Sequence, residues 1–262
     1  ATPAWAVDYY VRNGGNDSND GTSHTDAWQT IAKVNSSVSG TGDRVFFLGG
    51  NSWKDERIII DWDGATVGGY YWTGSSVLIG TNLPGGYVRP VIEGTLPTYV
   101  NASNQTDGFP NNAYYGLVHV NSQASDSTIQ DLHIKNSGGI GIITNNTGDS
   151  NVYRCTLEYT ATVGIMIQDA TGGTIEDNDL EEVAMAYRSC TPSITTSGGP
   201  SCTAFPRSAN LTVKGNTVKN SCGEAFQTSQ WSNNITFENN YIQDTRLGFN
   251  LYANAGTKTH TI

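Results

Sequence analysis

Charged and aromatic side chains with chemical potential collect in the last third of the chain: Arg188, Arg207, Glu224, Trp231 and Tyr252. The set suggests work on an acidic sugar. In a β-elimination a cation neutralises the sugar carboxylate and a base removes the weakly acidic proton beside it. Arg188 or Arg207 has the charge for the first task. Glu224 is a poor base unless burial shifts it. Hydrolysis would instead need two carboxylates about 5–10 Å apart, and Glu224 has no clear partner at matching register. An exposed Trp231 would stack on a sugar face. Each residue also has a plainer reading: arginines solvated or bonded to loop carbonyls, and a tryptophan packed at a turn.

Metal chemistry has weaker support. Asp17-Ser-Asn19-Asp-Gly21 is half of a calcium-loop pattern without its closing glutamate, and such runs also form plain turns. Asp17 and Asn19 are therefore the calcium candidates, and calcium is the one cofactor considered. His24, His119, His133 and His260 are scattered along the chain. Taken alone, the acidic stretch 176–182 resembles a calcium site, but in repeat register its side chains fan out over different faces.

The bulk composition narrows the partners. A formal net charge of −10 over 262 residues argues against nucleic acid, which needs a basic surface. No apolar run approaches the roughly 20 residues that cross a bilayer, so no membrane insertion is expected. Ala4-Trp5-Ala6 resembles the end of a signal peptide, which points to a secreted, extracellular or periplasmic protein with a flexible segment over 1–8. Of the four cysteines, Cys190 and Cys202 bracket a polar loop and are expected to form a disulfide, as suits an oxidising compartment. The plainer alternative is four buried thiols. Sequons such as those at Asn35, Asn104 and Asn234 arise readily by chance in a chain this rich in Asn and Thr.

The elements that must position these residues show as a repeat. Ile129, Val152, Ile175, Val213, Phe237 and Ile262 align as the second apolar residue of successive blocks, with gaps of 23, 23, 38, 24 and 25. A β-type repeat of this length signals a solenoid whose coils stack about 4.8 Å apart. The long gap contains an inserted loop, taken as 189–206. Each coil has a T-I-x-x-N-x-I part and then a Gly-Ile-type strand: Gly141-Ile142, Gly164-Ile165, Ala225-Phe226, Gly248-Phe249. Stacking predicts a ladder of Asn178, Asn216 and Asn240, with Leu132 and Cys155 in the same column, so Cys155 reads as a buried structural thiol. It also pairs Lys135 with Glu158, Glu181 with Lys219, and Lys214 with Glu176 and Glu238. Residues 25–38 show helical apolar spacing, capped at Thr25 or Asp26, and are expected to cover one solenoid end. The whole of 1–262 reads as one all-β parallel β-helix domain that continues beyond 262.

The segments "YYVRNGGNDSNDGTSHTDAWQTIAKVN", "GDRVFFLGGNSW" and "RPVIEGT", followed by the "TIxxNxI … GI" coils, resemble the pectate-lyase-like superfamily of secreted right-handed β-helix proteins. The opening is similar to the alginate lyase and chondroitinase B type. That type's Lys base, Arg and calcium set finds no match here, and neither the D-P-H-D motif of mannuronan epimerases nor the paired Asp of polygalacturonases is present. The resemblance implies a ligand groove over the Gly-Ile strand, with Ile143, Met166, Gln227, Asn250 and a residue near Arg188 facing outward. It implies a carbohydrate-active protein with a polysaccharide partner, first a lyase acting on an acidic, uronate-containing glycan. The alternative is a noncatalytic glycan-binding, adhesin, tailspike or filament module that associates through its solenoid ends.

Overall fold

The computed structural model describes residues 6–95, 116–145, 147–185, 201–229, 231–251 and 260–262. Short strands follow one another around three faces and return to the first, one coil further along. The first face holds Asp8–Val11, Arg44–Leu48, Thr66–Trp72, Ser127–Gln130, Ser150–Tyr153, Gly173–Glu176, Ala209–Lys214, Asn233–Glu238 and His260–Thr261. The second runs from Ser52–Lys54 through Val91–Glu93, His133–Lys135, Thr156–Glu158 and Asp179–Glu181. The third holds Ile58–Ile60, Gly116–Val120, Ile140–Asn145, Ile165–Gln168 and Ser201–Phe205. In the last two coils the second and third faces share one strand each, Thr217–Thr228 and Tyr241–Asn250. Among the described residues the coil-to-coil pairings are parallel, while Val77–Ile79 folds back antiparallel on Thr66–Trp72.

The alternating pattern sets the register. Val45, Val67, Ile129, Val152, Ile175, Val213 and Phe237 pair in sequence down the first face. All seven are buried, because a period of two sends every second side chain inward. A slip of one residue would expose this whole column. On the third face, Gly141 and Gly164 are required by space. A Cβ on Gly141 would lie 2.7 Å from the Gly164 carbonyl oxygen, and one on Gly164 would lie 2.7 Å from that of Cys202.

The corners are built from residues with positive φ. Asp131, Arg154, Asp177, Gly215 and Asn239 occupy one corner, and Asn136, Tyr159, Glu182, Asn220 and Asp244 the next. Each left-handed residue turns the chain sharply between two strands. Just past the first corner runs the asparagine ladder. Asn178 Nδ2 donates to Asn216 Oδ1 (2.9 Å), and Asn216 Nδ2 donates to Asn240 Oδ1 (2.9 Å). The backbone N–H of Cys155 donates to Asn178 Oδ1 (2.9 Å), so the ladder hands over to the earlier coils, where Leu132 and Cys155 pack as apolar residues.

Several expectations are corrected. The helix spans Ile31–Ser37 with Thr30 as N-cap, its side chain accepting from the Lys33 N–H. Residues before it are extended: Trp28 bridges Val11 and exchanges backbone hydrogen bonds with Tyr10 and Arg12. The helix lies against the Ile58–Ile60 strand, where Asn35 bonds the Arg57 carbonyl and the Ile59 N–H. Residues 201–205, expected within the inserted loop, are instead a third-face strand; residues 189–200 lie outside the described residues. Cys202 sits on that strand in the main core and is a free thiol, so the expected bridge to Cys190 is not made. Of the predicted charge pairs, all fall in register, but only Lys214–Glu176 closes to 3.1 Å. Glu158 pairs with His133 rather than with Lys135.

Candidate functional site

The outward column of the third face decides what the surface can do. Ile59, His119, Ile143, Met166, Ala204, Gln227 and Asn250 stack in register. The residue expected near Arg188 is therefore Ala204, and Arg188 itself lies outside the described residues, as does Tyr252. The middle of the column is covered rather than open: Ile143 is buried in a small apolar cluster with Ile140, Val163 and Ala204, against which Met166 packs. Over these coils the column presents an apolar cover rather than an open groove.

In the later coils the column turns polar. The Ser201 hydroxyl lies 2.7 Å from Gln227 Oε1 and 3.2 Å from Glu224 Oε2, sharing one proton between them. Asn250 Nδ2 donates to Glu224 Oε1 (3.4 Å). Glu224 is only 2 % exposed. Each carboxylate oxygen accepts one hydrogen bond, from Ser201 and from Asn250, so Glu224 orders its neighbours. The structure places the candidates Glu224, Gln227 and Asn250 in one cluster with Ser201, a residue the sequence reading left inside the inserted loop.

At the edge of this face, successive coils place Asp169, Arg207 and Trp231 at equivalent turn positions. Arg207 forms a two-point ion pair with Asp169 (Nε–Oδ1 2.5 Å, a second nitrogen to Oδ2 2.7 Å). The guanidinium holds the Asp169 carboxyl below its usual range, and the carboxylate raises Arg207 in return. Its charge is therefore already matched. Trp231, in the next coil, is 61 % exposed. The Ser229 hydroxyl accepts from the backbone N–H groups of Arg207 (3.1 Å) and Trp231 (3.5 Å). Gln168 and Asn145 continue the amide surface into earlier coils, joined at 2.9 Å.

The calcium candidates are placed differently. Asp17 Oδ1 accepts from the N–H groups of Gln29 and Thr30, and Oδ2 accepts from the Thr30 hydroxyl (2.7 Å). Burial opposes the charge, but these bonds outweigh it and keep the Asp17 carboxyl below its usual range. Asp17 thus ties a turn to the helix start. The Asn19 carbonyl accepts from the Trp28 indole. Among the described residues no group of three or more His, Cys, Asp or Glu is arranged to hold a metal ion.

One group escaped the sequence reading. His119 faces outward on the third face, opposite Ile59. Burial pushes its pKa down, Arg57 pushes it further, and Asp61 opposes them. Asn121 donates to the Asp61 carboxylate. Residues 57–61 and 119 are about 60 apart in sequence, so only coil stacking reveals the association.

With these faces established, comparison with known proteins is informative about the fold. The profile of the right-handed β-helix region matches residues 100–242. The chain belongs to the right-handed β-helix family. A lacto-N-biosidase of family GH136 from Eubacterium ramulus is similar at 14 % identity over 90 % of this chain and 56 % of that one, with a TM-score of 0.49. Tailspike protein 2 from Escherichia coli O157:H7 bacteriophage CAB120 is similar at 13 % identity over 92 % of this chain and 33 % of that one (TM-score 0.41). A rhamnogalacturonan lyase gives 13 % identity over 98 % of this chain and 65 % of that one (TM-score 0.34). The chain therefore spans between 33 % and 65 % of the length of these structures, and at such scores they carry nothing about activity. No curated protein matches the sequence significantly.

Proposed function

We propose that this β-helix binds a glycan along the later coils of its third face, with Trp231 as the stacking platform. The observation that supports it is the exposed indole of Trp231, one coil from the Arg207–Asp169 pair. Beside it lies a surface rich in amides: Gln227, Asn250, Gln168 and Asn145. Amides donate and accept at once, which suits sugar hydroxyls, and an aromatic face suits the C–H side of the ring. Because Arg207 is already neutralised, recognition runs through hydroxyls more than through a sugar carboxylate. This reading goes with the secreted location expected from Ala4-Trp5-Ala6. Affinity electrophoresis against neutral and acidic polysaccharides tests it. Trp231→Ala weakens retention roughly two- to tenfold, the size of an aromatic contact; no retention on any polymer, or retention unaffected by the substitution, removes the proposal.

A second reading, lyase action on a uronate polymer, draws support from His119. A histidine with a lowered pKa is neutral near pH 7 and able to accept a proton, and Arg57 beside it suits a carboxylate. Mixing the protein with alginate, pectate or chondroitin sulfate, with calcium or with chelator, and following the ultraviolet absorbance of unsaturated uronates decides it. Absorbance that rises and disappears in His119→Ala supports the reading, and a flat trace with all three polymers rejects it.

A further inference from the structure

At the first corner, near the start of the solenoid, lies a cleft of about 380 Å³. One wall is the turn at Gly49 and Gly50, which leaves the first face; the other is the loop carrying Gly85, Tyr87 and Val88, with Tyr71 at the rim. The walls are fixed to each other. The Gly50 N–H donates to the Val88 carbonyl (2.9 Å), the Gly49 N–H to the Tyr70 carbonyl (2.8 Å), and the Tyr87 hydroxyl to the same Tyr70 carbonyl (3.3 Å). Tyr70 is fully buried, so the strand's alternation turns Tyr71 outward, where it is 40 % exposed.

The glycines separate into those the backbone needs and one it does not. A Cβ on Gly49 would meet the Tyr87 ring at 2.4 Å, and Gly50 and Gly86 have φ of 75° and 78°, the left-handed region. Gly85 has neither constraint: its φ is not left-handed and nothing stands within 4 Å of a Cβ there. The folded backbone does not require glycine at that position, and its lack of a side chain leaves the cleft open.

We propose that this cleft is a second carbohydrate site, taking one hexopyranose unit of a neutral glycan, independent of the Trp231 surface. The volume falls in the range of small-ligand sites. No charged side chain lines it, which matches an uncharged sugar and leaves a uronate carboxylate or an amine without a counter-charge. Tyr71 offers an aromatic edge and a hydroxyl, and the glycine turns let backbone carbonyl and N–H groups come close to sugar hydroxyls.

Saturation-transfer NMR on the whole chain with cellohexaose, mannohexaose and maltohexaose tests the cleft, using Tyr71→Ala, Gly85→Gln and Trp231→Ala, each checked for an unchanged urea midpoint. The proposal expects transfer from at least one hexaose in the wild type, retained in Trp231→Ala and reduced roughly fivefold or more in Tyr71→Ala and Gly85→Gln. It is overturned if no hexaose shows transfer, if Trp231→Ala removes all of it, or if both cleft substitutions leave it unchanged. Loss in Trp231→Ala alone would keep the Trp231 surface and remove the cleft, whereas the Trp231 surface itself stands or falls on retention of Trp231→Ala in affinity electrophoresis.

Discussion

Replacing Asn216 with alanine tests the asparagine ladder directly. Asn216 is fully buried. Its Oδ1 accepts from the backbone N–H (3.0 Å) and Nδ2 (2.9 Å) of Asn178, and its own Nδ2 donates to the Ile175 carbonyl (2.9 Å) and to Asn240 Oδ1 (2.9 Å). Alanine leaves the Asn178 N–H without a partner in a dry turn and takes one bond from the Ile175 carbonyl. Asn178 Nδ2 keeps the Val152 carbonyl, and Asn240 Oδ1 keeps the backbone N–H of residue 216. One orphaned buried donor and one weakened acceptor, at about 1–3 kcal/mol each, give a loss of about 2–6 kcal/mol. Asn240→Ala is the control. Asn240 is only partly buried, so water replaces part of what is lost, and the cost is about 1–2 kcal/mol. Urea unfolding followed by tryptophan fluorescence and far-ultraviolet circular dichroism measures both, with coincident curves required because stacked coils need not unfold in one step. A loss below about 1 kcal/mol for Asn216→Ala, or equal losses at the two positions, refutes the view that the ladder acts through buried, mutually dependent bonds.

Cys155 and Cys202 are buried thiols whose pKa burial pushes up to about 12; both resist a thiol reagent in the folded chain and react in urea, and fast native labelling of either contradicts their placement. Glu182 turns a corner with φ of 50°, where the equivalent Asn136 and Asn220 donate to Glu93 and Glu181. Glu182→Asn offers the same bond to Glu158 and relieves the strain, so the urea midpoint rises by the equivalent of about 1 kcal/mol; a fall rejects the corner rule. His24 stacks on Trp72 at 4.3 Å, and burial first, then Arg12, holds its pKa below 6.5. The unfolded chain therefore binds that proton more readily, and stability is lost as pH falls through the unfolded value. His24→Gln makes the drop in stability between about pH 7 and pH 5 shallower; an unchanged drop shows that His24 is not responsible.

What could be read from the sequence depended on whether a signal repeats with the coil. The first-face register, from Ile129 to Phe237, was legible because alternation and the asparagines at 178, 216 and 240 fix it twice over. The third-face strand of the interrupted coil was lost because Cys202-Thr203 does not look like Gly-Ile and the extra length hides its phase. It nevertheless pairs with Ile165 on one side and Phe226 on the other. The helix start was misplaced for a different reason. Ala27 and Trp28 are as buried as helical core residues, but Trp28 bridges the first strand and the Ala27 carbonyl accepts from the Asn16 N–H, and apolar spacing alone does not separate the two cases. Around the candidate site, the neutralising partner of Arg207 is 38 residues away in an earlier coil, and the Ser201 that engages Glu224 is 23 away. Contacts of that separation follow from stacking geometry and leave no local pattern to read.

Because the three faces pair coil to coil, the hydrogen bonds that join coils run along the solenoid axis. A pull applied along that axis loads the coil junctions one after another, so the weakest yields first while the rest stay intact. Resistance to stretching is then set by a single junction rather than by the sum of them. The junctions that contain Asn178, Asn216 and Asn240 carry side-chain bonds in addition to the strand pairing. Extension by optical tweezers would accordingly appear as steps of one coil's length, with the asparagine-bearing coils among the last to open.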